Sequence, residues 1–191
     1  MNAIQVTVTD SLTQELVSGR MACTATGEDS FDSRSWHCVA EHRGLCAGAV
    51  RITCGSPSVL ASWTNGLFPQ NEQDTQADLT RAFVLSEFRG KGIYRVLMLT
   101  ALAWLNEQKI SRVFGAIEPG FEHFEFLGGC GFQMEGESLL FRDTPRETIG
   151  QPIACTMELS GKMHRQQLKE TIADLSASRD VDFEISQLDL N

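Results

Sequence analysis

TRAFVLSEFRGKGIYRVLMLTALAWL, residues 80–105, passes from a strand pattern through a pair of glycines into a helix pattern, and the rest of the chain is read outward from it. The apolar run Phe83–Leu85 reads as the end of a buried strand. Ile93, Val96, Leu97, Leu99, Ala103 and Trp104 mark a helix with a broad buried face over residues 93–107. Between them, a strand-to-helix corner leaves backbone N–H groups of the first helical turn without intrahelical partners. Where glycines remove side-chain bulk, such donors and the helix dipole suit a phosphate group. Arg89 and Lys91 add positive charge there. The spacing is neither that of a Walker loop nor of a dinucleotide-binding GxGxxG, so two readings stand: a phosphate cradle, or a corner that only turns the chain.

Upstream, "AIQVTVT" alternates as a strand. "SLTQELVSGR" reads as a helix capped by Asp10 or Ser11, and "SWHCVAEHRGLCAGAVRIT" as a hairpin with Trp36, Cys38 and Ala40 on one face. Residues 55–77 form a long polar connection in which "VLASW" reads as a short helix over a cleft. Downstream, "SRVFGAI" is a buried strand. "GFEHFEFLGGCGFQME" reads as short helix, glycine turn and strand, with "ESLLFR" as a further hairpin arm. "IACTMEL" reads as the last strand, and a polar helix with an acidic tail closes the chain. The order predicts an α/β (α+β) domain on one mostly antiparallel, mixed sheet flanked by helices, over residues 1–160, with residues 161–191 appended to it.

Composition narrows the function classes. A net charge of −9 over 191 residues argues against a nucleic-acid binder. The charge is uneven: residues 81–112 carry six Lys or Arg against Glu87 and Glu107, whereas residues 170–191 carry six acids against Arg179 alone. A basic zone in an acidic chain fits a discrete anionic ligand or partner, or else a solvated helix face. No apolar run approaches the roughly 20 residues of a membrane span. With no targeting segment visible, the cytoplasm is the expected location. The six cysteines are scattered without a CxxC pair and read as small core residues, so no metal site is expected. No interface pattern speaks to oligomeric state.

"FVLSEFRGKGIYRVLM" resembles the pyrophosphate-binding segment of the GNAT superfamily of N-acetyltransferases. That segment reads arginine or glutamine, two residues, glycine, one residue, then glycine or alanine; Arg89 and Gly92 match, and Tyr94 stands in the final small position. The resemblance implies a GNAT-like fold in which the strand before the corner splays from its neighbour. It places the donor's phosphopantetheine arm along Phe83, Val84 and Leu85, and the diphosphate at Arg89, Gly90, Lys91, Gly92, Ile93, Tyr94 and Arg95. "GFEHFEFLGGCGF" is similar to the superfamily's Phe-Tyr-x-x-Leu-Gly-Phe segment, with Leu127 where a tyrosine often serves as general acid.

Within the superfamily, "DSFD" followed by a hairpin ending in "AVRIT", and "DLTRAFVL", resemble the opening and central strand of acyl-homoserine-lactone (autoinducer) synthases and long-chain N-acyl amino acid synthases. The resemblance runs over about residues 20–159. It implies that Asp29, Asp32, Arg51, Asp78 (in place of the usual glutamate) and Arg81 form that branch's polar active-site cluster; Asp78, Asp32 and Arg81 are the expected catalytic residues, and Asp29, Arg51 and Trp36 are expected to bind the acceptor. It further implies an N-acyltransferase moving a medium or long acyl group from acyl-CoA or an acyl carrier protein to a small amine, namely an amino acid, a polyamine or an S-adenosylmethionine-like molecule. The alternatives are an acetyl-CoA-dependent acetyltransferase and a catalytically silent acyl-CoA-binding regulatory protein. An amine attacks a thioester only as the free base, so a carboxylate such as Asp78 or Asp32 suits the role of base, and Arg51 and Arg81 suit a carboxylate clamp. Each residue has a plainer reading beside this one: "DSFD" as a turn cap, and Arg81 with Asp78 as a structural ion pair.

Overall fold

The computed structural model describes residues 3–24, 27–55, 75–117, 124–138, 153–159, 163–186 and 188. The expected "VLASW" helix and most of "ESLLFR" lie outside these residues. Eight strands form one sheet: β1 (Ile4–Thr9), β2 (Trp36–His42), β3 (Leu45–Cys54), β4 (Gln76–Val84), β5 (Arg112–Ile117), β6 (Gln133–Ser138), β7 (Ile153–Glu158) and β8 (Phe183–Ile185). Their spatial order is β6-β7-β5-β4-β3-β2-β1-β8. Neighbours are antiparallel except β4–β5 and β1–β8. The helices are α1 (Gln14–Thr24), α2 (Ile93–Glu107), α3 (Phe124–Gly129) and α4 (Met163–Arg179).

Two expectations are corrected here. The last strand is not "IACTMEL": Phe183, Glu184 and Ile185 in the acidic tail pair in parallel with Ile4, Gln5 and Val6. Nor do Asp10 or Ser11 cap α1; Thr13 does, its Oγ1 accepting from the Leu16 N–H at 3.2 Å.

The two faces of the sheet are unlike. On one, α2 packs against Cys38, Ala40, Val50, Ile52, Ala77, Leu79 and Val113. Every residue from Val96 to Leu105 is buried, so α2 is enclosed all round rather than along a stripe. The enclosing element is α4, which runs antiparallel along the outer side of α2. Its Arg165 pairs with Glu107 at the end of α2, and its Leu175 lies against Gly92 at the beginning. The other face is covered by α1, whose Leu16 joins Val39, Cys46, Ala49 and Phe83 in a small apolar patch. Four cysteines are buried and two half-buried, all of them free. Burial pushes the Cys46 thiol up to about 11 and those of Cys130 and Cys155 up to about 12. They are packing residues, as expected.

Strand β4 departs from regularity twice. Arg51 stands opposite Thr80 and Ala49 opposite Phe83, so β3 advances two residues while β4 advances three. The extra residue is a bulge, with Arg81 in the left-handed region at φ 57°. The bulge shifts the in–out alternation, so that Phe83 joins the α1 face. Secondly, β4 and β5 pair only from Gln76↔Arg112 to Asp78↔Phe114. Beyond that point β4 pairs with β3 and β5 with β7, and the two strands splay into a V with Asp78 at its apex. The splay agrees with what the resemblance implied.

Gly92 is the N-cap of α2 at φ 81°, and a Cβ added there would lie 2.5 Å from the Leu175 side chain. Gly92→Ala is expected to lower stability by about 1–2 kcal/mol through the left-handed backbone alone. That backbone loss is expected to remain with Leu175→Ala already present, and to be exceeded where Leu175 must also give way. Denaturant midpoints of the two backgrounds check this.

Candidate active site

The site is assembled on the α1 face, beside the V. The segment "DSFD" folds on itself: the Asp29 N–H donates to Asp32 Oδ2 at 2.9 Å, the Phe31 N–H donates to Asp29 Oδ1 at 2.9 Å, and a 3-10 turn follows from Asp32 to Arg34. This is the turn-capping role weighed from the sequence, and it coexists with a second one. Arg20, on α1, grips Asp32 with two parallel bonds of 2.8 and 2.7 Å. Arg51, on β3, donates from Nη1 to Asp29 Oδ1 (2.7 Å) and Asp32 Oδ1 (3.2 Å), and from Nε to Thr80 Oγ1 (3.1 Å). Arg81, turned by the bulge, donates from Nη2 to Asp29 Oδ2 at 3.0 Å. Three guanidinium groups therefore converge on two carboxylates.

Arg20, Asp32 and Arg51 are each 1% exposed, so this is a buried network. Burial alone would raise the Asp32 pKa. Hydrogen bonds from Arg20 and the Asp29 amide, with the charges of both arginines, override burial and hold the carboxyl well below the usual range. Asp29 behaves in the same way: burial opposes ionisation, and the bonds from Arg51 and Arg81 outweigh it. These geometries correct one expectation. Asp32 is no proton acceptor, because both oxygens are engaged and its charge is held; it orients arginines. Asp29 joins Arg51 to Arg81.

Donor capacity remains. Arg51 Nη2, Arg81 Nε and Arg20 Nε are buried and make no hydrogen bond among the described residues. Unused buried donors of this kind are rare in folded proteins. Thr53 and Asp78 are paired across β3 and β4, and the Thr53 hydroxyl meets Ser35 Oγ at 2.7 Å. Asp78 itself is 0% exposed. His37 lies opposite Arg51 on β2, fully buried, and burial lowers its pKa.

Trp36 lies elsewhere. Adjacent strand residues face opposite sides, and where His37 faces α1, Trp36 faces α2 and packs at 5.2 Å on Trp104. Its expected place in the acceptor site is corrected on that ground.

The glycine corner stands at the open end of the V. Gly90 and Gly92 both have left-handed backbone, with φ 76° and 81°. Arg89 Nε donates to the Val84 carbonyl at 3.3 Å, and Lys91 Nζ lies 5.0 Å over the Phe88 ring. Arg95 lies 5.5 Å over Phe126, and Tyr94 meets that ring edge-on at 6.2 Å. Tyr94 thus packs between α2 and α3, and burial pushes its phenol pKa up. Ile93 is core. The Leu85 N–H donates to Ala47, whereas Val84 packs on the α2 side. A cleft of about 560 Å³ opens beside the corner among α2, α3 and α4. Its lining carries Glu125, Glu170 and Asp174 against Arg95, so an anion suits the corner better than the cleft.

Sequence reading missed Arg20, His37 and Thr80. Arg20 had a visible sign: it sits four residues after Leu16, at a position of α1 that faces the core.

No protein-family model and no curated protein sequence matches the chain. Solved structures do. A CoA-dependent acyl-homoserine lactone synthase, BjaI, solved with SAM and isopentyl-CoA, is similar over 100% of this chain and 97% of its own at 15% identity, with a TM-score of 0.63. An acetyltransferase of Bacillus subtilis solved with CoA covers 82% of this chain and 99% of its own at 13% identity, with a TM-score of 0.60. An IAA acetyltransferase from Bacillus cereus covers 81% and 99% at 14% identity, with a TM-score of 0.57. The fold is that of the GNAT superfamily.

Proposed function

We propose that this GNAT-fold chain is an N-acyltransferase that moves an acyl group longer than acetyl from a thioester to the amine of a small, carboxylate-bearing acceptor. The observation that carries the reading is the buried arginine–aspartate network beside the V, with Asp78 at the apex and unused donors on Arg51 and Arg81. The whole-length likeness to a synthase solved with SAM and isopentyl-CoA supports the same direction.

In the reaction, the acyl thioester lies along β4 with its diphosphate at the Gly90–Gly92 corner when the donor is acyl-CoA. Arg51 and Arg81 take the acceptor's carboxylate, a charge-assisted contact that selects amino-acid-like amines over polyamines. Asp78 accepts the proton from the acceptor's ammonium. The amine nitrogen then attacks the thioester carbon. Backbone N–H groups of β4 past Asp78, beyond its pairing with β5 among the described residues, hold the oxyanion. That attack forms the C–N bond; collapse then breaks the C–S bond, and the proton the nitrogen sheds on becoming an amide goes to the departing thiolate, releasing the thiol. Leu127, 3% exposed in the apolar core, supplies no acid for that thiol. It is also the observation that favours the second reading, a silent acyl-CoA binder.

The test is a donor series of acyl-CoA and acyl-carrier-protein thioesters from acetyl to palmitoyl, each offered amino acids and the matching decarboxylated amines, with products identified by mass. Turnover of the longer donors with carboxylate-bearing acceptors is expected. Activity confined to acetyl would overturn the reading in favour of an ordinary acetyltransferase, and CoA binding with no turnover would favour the silent one.

A further inference from the structure

The cations expected to serve the glycine corner are those of the motif, yet each is engaged beside it: Arg89 on the Val84 carbonyl, Lys91 over Phe88 and Arg95 over Phe126. Two side chains of the C-terminal helix touch the corner. Leu175, 3% exposed, fills the space over Gly92 where a side chain would otherwise stand. One turn later Arg179 Nη1 donates to the Gly90 carbonyl. The end of α4 is itself fixed: Ser176 Oγ meets Asp182 Oδ1 at 2.6 Å, the chain turns at Asp180 (φ 55°), and β8 then pairs with β1.

We infer that α4 is a positioning element for the donor, with Leu175 and Arg179 holding Gly90–Gly92 in the shape that aims the first amides of α2 outward. The inference rests on the corner being the donor's diphosphate site. Its physical basis is entropy. Two glycines with left-handed backbone are the residues freest to leave that conformation. A corner ordered in advance spares the donor the cost of ordering it. Leu175 supplies non-directional packing on one glycine, and Arg179 supplies a directional bond to the other. The acidic C-terminal region thereby acquires a role that its charge alone does not suggest.

Two measurements on the full-length protein separate this inference from the reading beneath it. The first needs no donor: amide hydrogen exchange of residues 90–95 in wild type, Arg179→Ala and Arg179→Lys. Exchange is expected to quicken in Arg179→Ala and to recover in part in Arg179→Lys, whose ammonium still donates to the Gly90 carbonyl. Unchanged exchange in Arg179→Ala overturns the positioning role. The second is binding of free CoA, together with steady-state kinetics on an acyl-CoA. Arg179→Ala is expected to weaken CoA binding and raise donor KM by about tenfold, the scale of ordering one backbone residue. The loss is expected to fall on donor KM rather than on kcat or acceptor KM. Equal CoA affinity in wild type and Arg179→Ala overturns the inference. Quickened exchange with no CoA binding by the wild type instead places the failure in the diphosphate reading.

Discussion

Asp78→Asn is expected to lower kcat by about 10²- to 10⁴-fold, the range that a positioned acid–base group contributes. The substitution keeps the shape of the side chain and removes its capacity to take a proton. Asp78 is the last β4 residue paired with β5, so it stands where the strands part, the place proposed above for the reaction. The glycine corner lies at the far end of the strand, so donor KM is expected to stay close to wild type. The acid limb of the kcat/KM pH profile is expected to disappear with the carboxylate. Undiminished turnover on every donor tried would remove Asp78 from the mechanism.

The second large effect falls on stability. Asp32→Asn leaves Arg20, 1% exposed, facing a neutral amide, while Arg51 keeps only Asp29. Breaking a buried ion pair from one side costs about 3–5 kcal/mol, because the remaining charge stays desolvated without a counter-charge. For a domain whose whole stability is of the order of 5–15 kcal/mol, such a loss is severe. Denaturant unfolding of wild type and variant measures it, and a change below about 1 kcal/mol would show that solvent reaches the network.

The same network fixes how stability responds to acid. The folded pKa values of Asp32 and Asp29 lie below their unfolded values. Their contribution is therefore full above the ordinary aspartate value of about 4 and is lost as pH falls below it. His37 and His164 are held neutral by burial, their folded pKa values also below the unfolded one. Their contribution is full above about pH 6.5 and declines as pH falls through the unfolded value, where the unfolded chain takes up protons first. Unfolding midpoints are thus expected to fall in two stages, a shallow one below about pH 6.5 and a steep one below about pH 4. A midpoint unchanged down to pH 3 would contradict the carboxylate assignment.

The parts of this arrangement differed in how far the sequence revealed them, for physical reasons. Helix α2 was legible because Val96–Leu105 is almost wholly apolar, although its complete enclosure depended on where α4 would lie. The corner was legible as a strand-to-helix turn because a glycine pair between two such patterns supplies the left-handed backbone a sharp turn needs. Asp29, Asp32, Arg51 and Arg81 were found through resemblance alone, since their meeting depends on β-register and on a bulge. That bulge has no local signature: Arg81 is an arginine in a conformation that usually marks glycine. Trp36 was misplaced because one step along a strand exchanges faces. Strand β8 escaped notice because three residues, one of them acidic, carry too short an alternation to read.

Residues 183–185 pair with residues 4–6, joining distant segments of the sequence at one edge of the sheet. During synthesis that pairing waits for residues 183–185, whereas the central hairpin β2–β3 and the β4–α2–β5 unit need only residues made earlier. The strand that closes late is also the anchor of the helix that touches the corner. A chain halted before residue 183 therefore has its central sheet and its apex aspartate while lacking a fastened corner. Folding order in this protein thus leaves the contacts of α4 with Gly90 and Gly92 to be anchored by a segment made after strands β2 to β5.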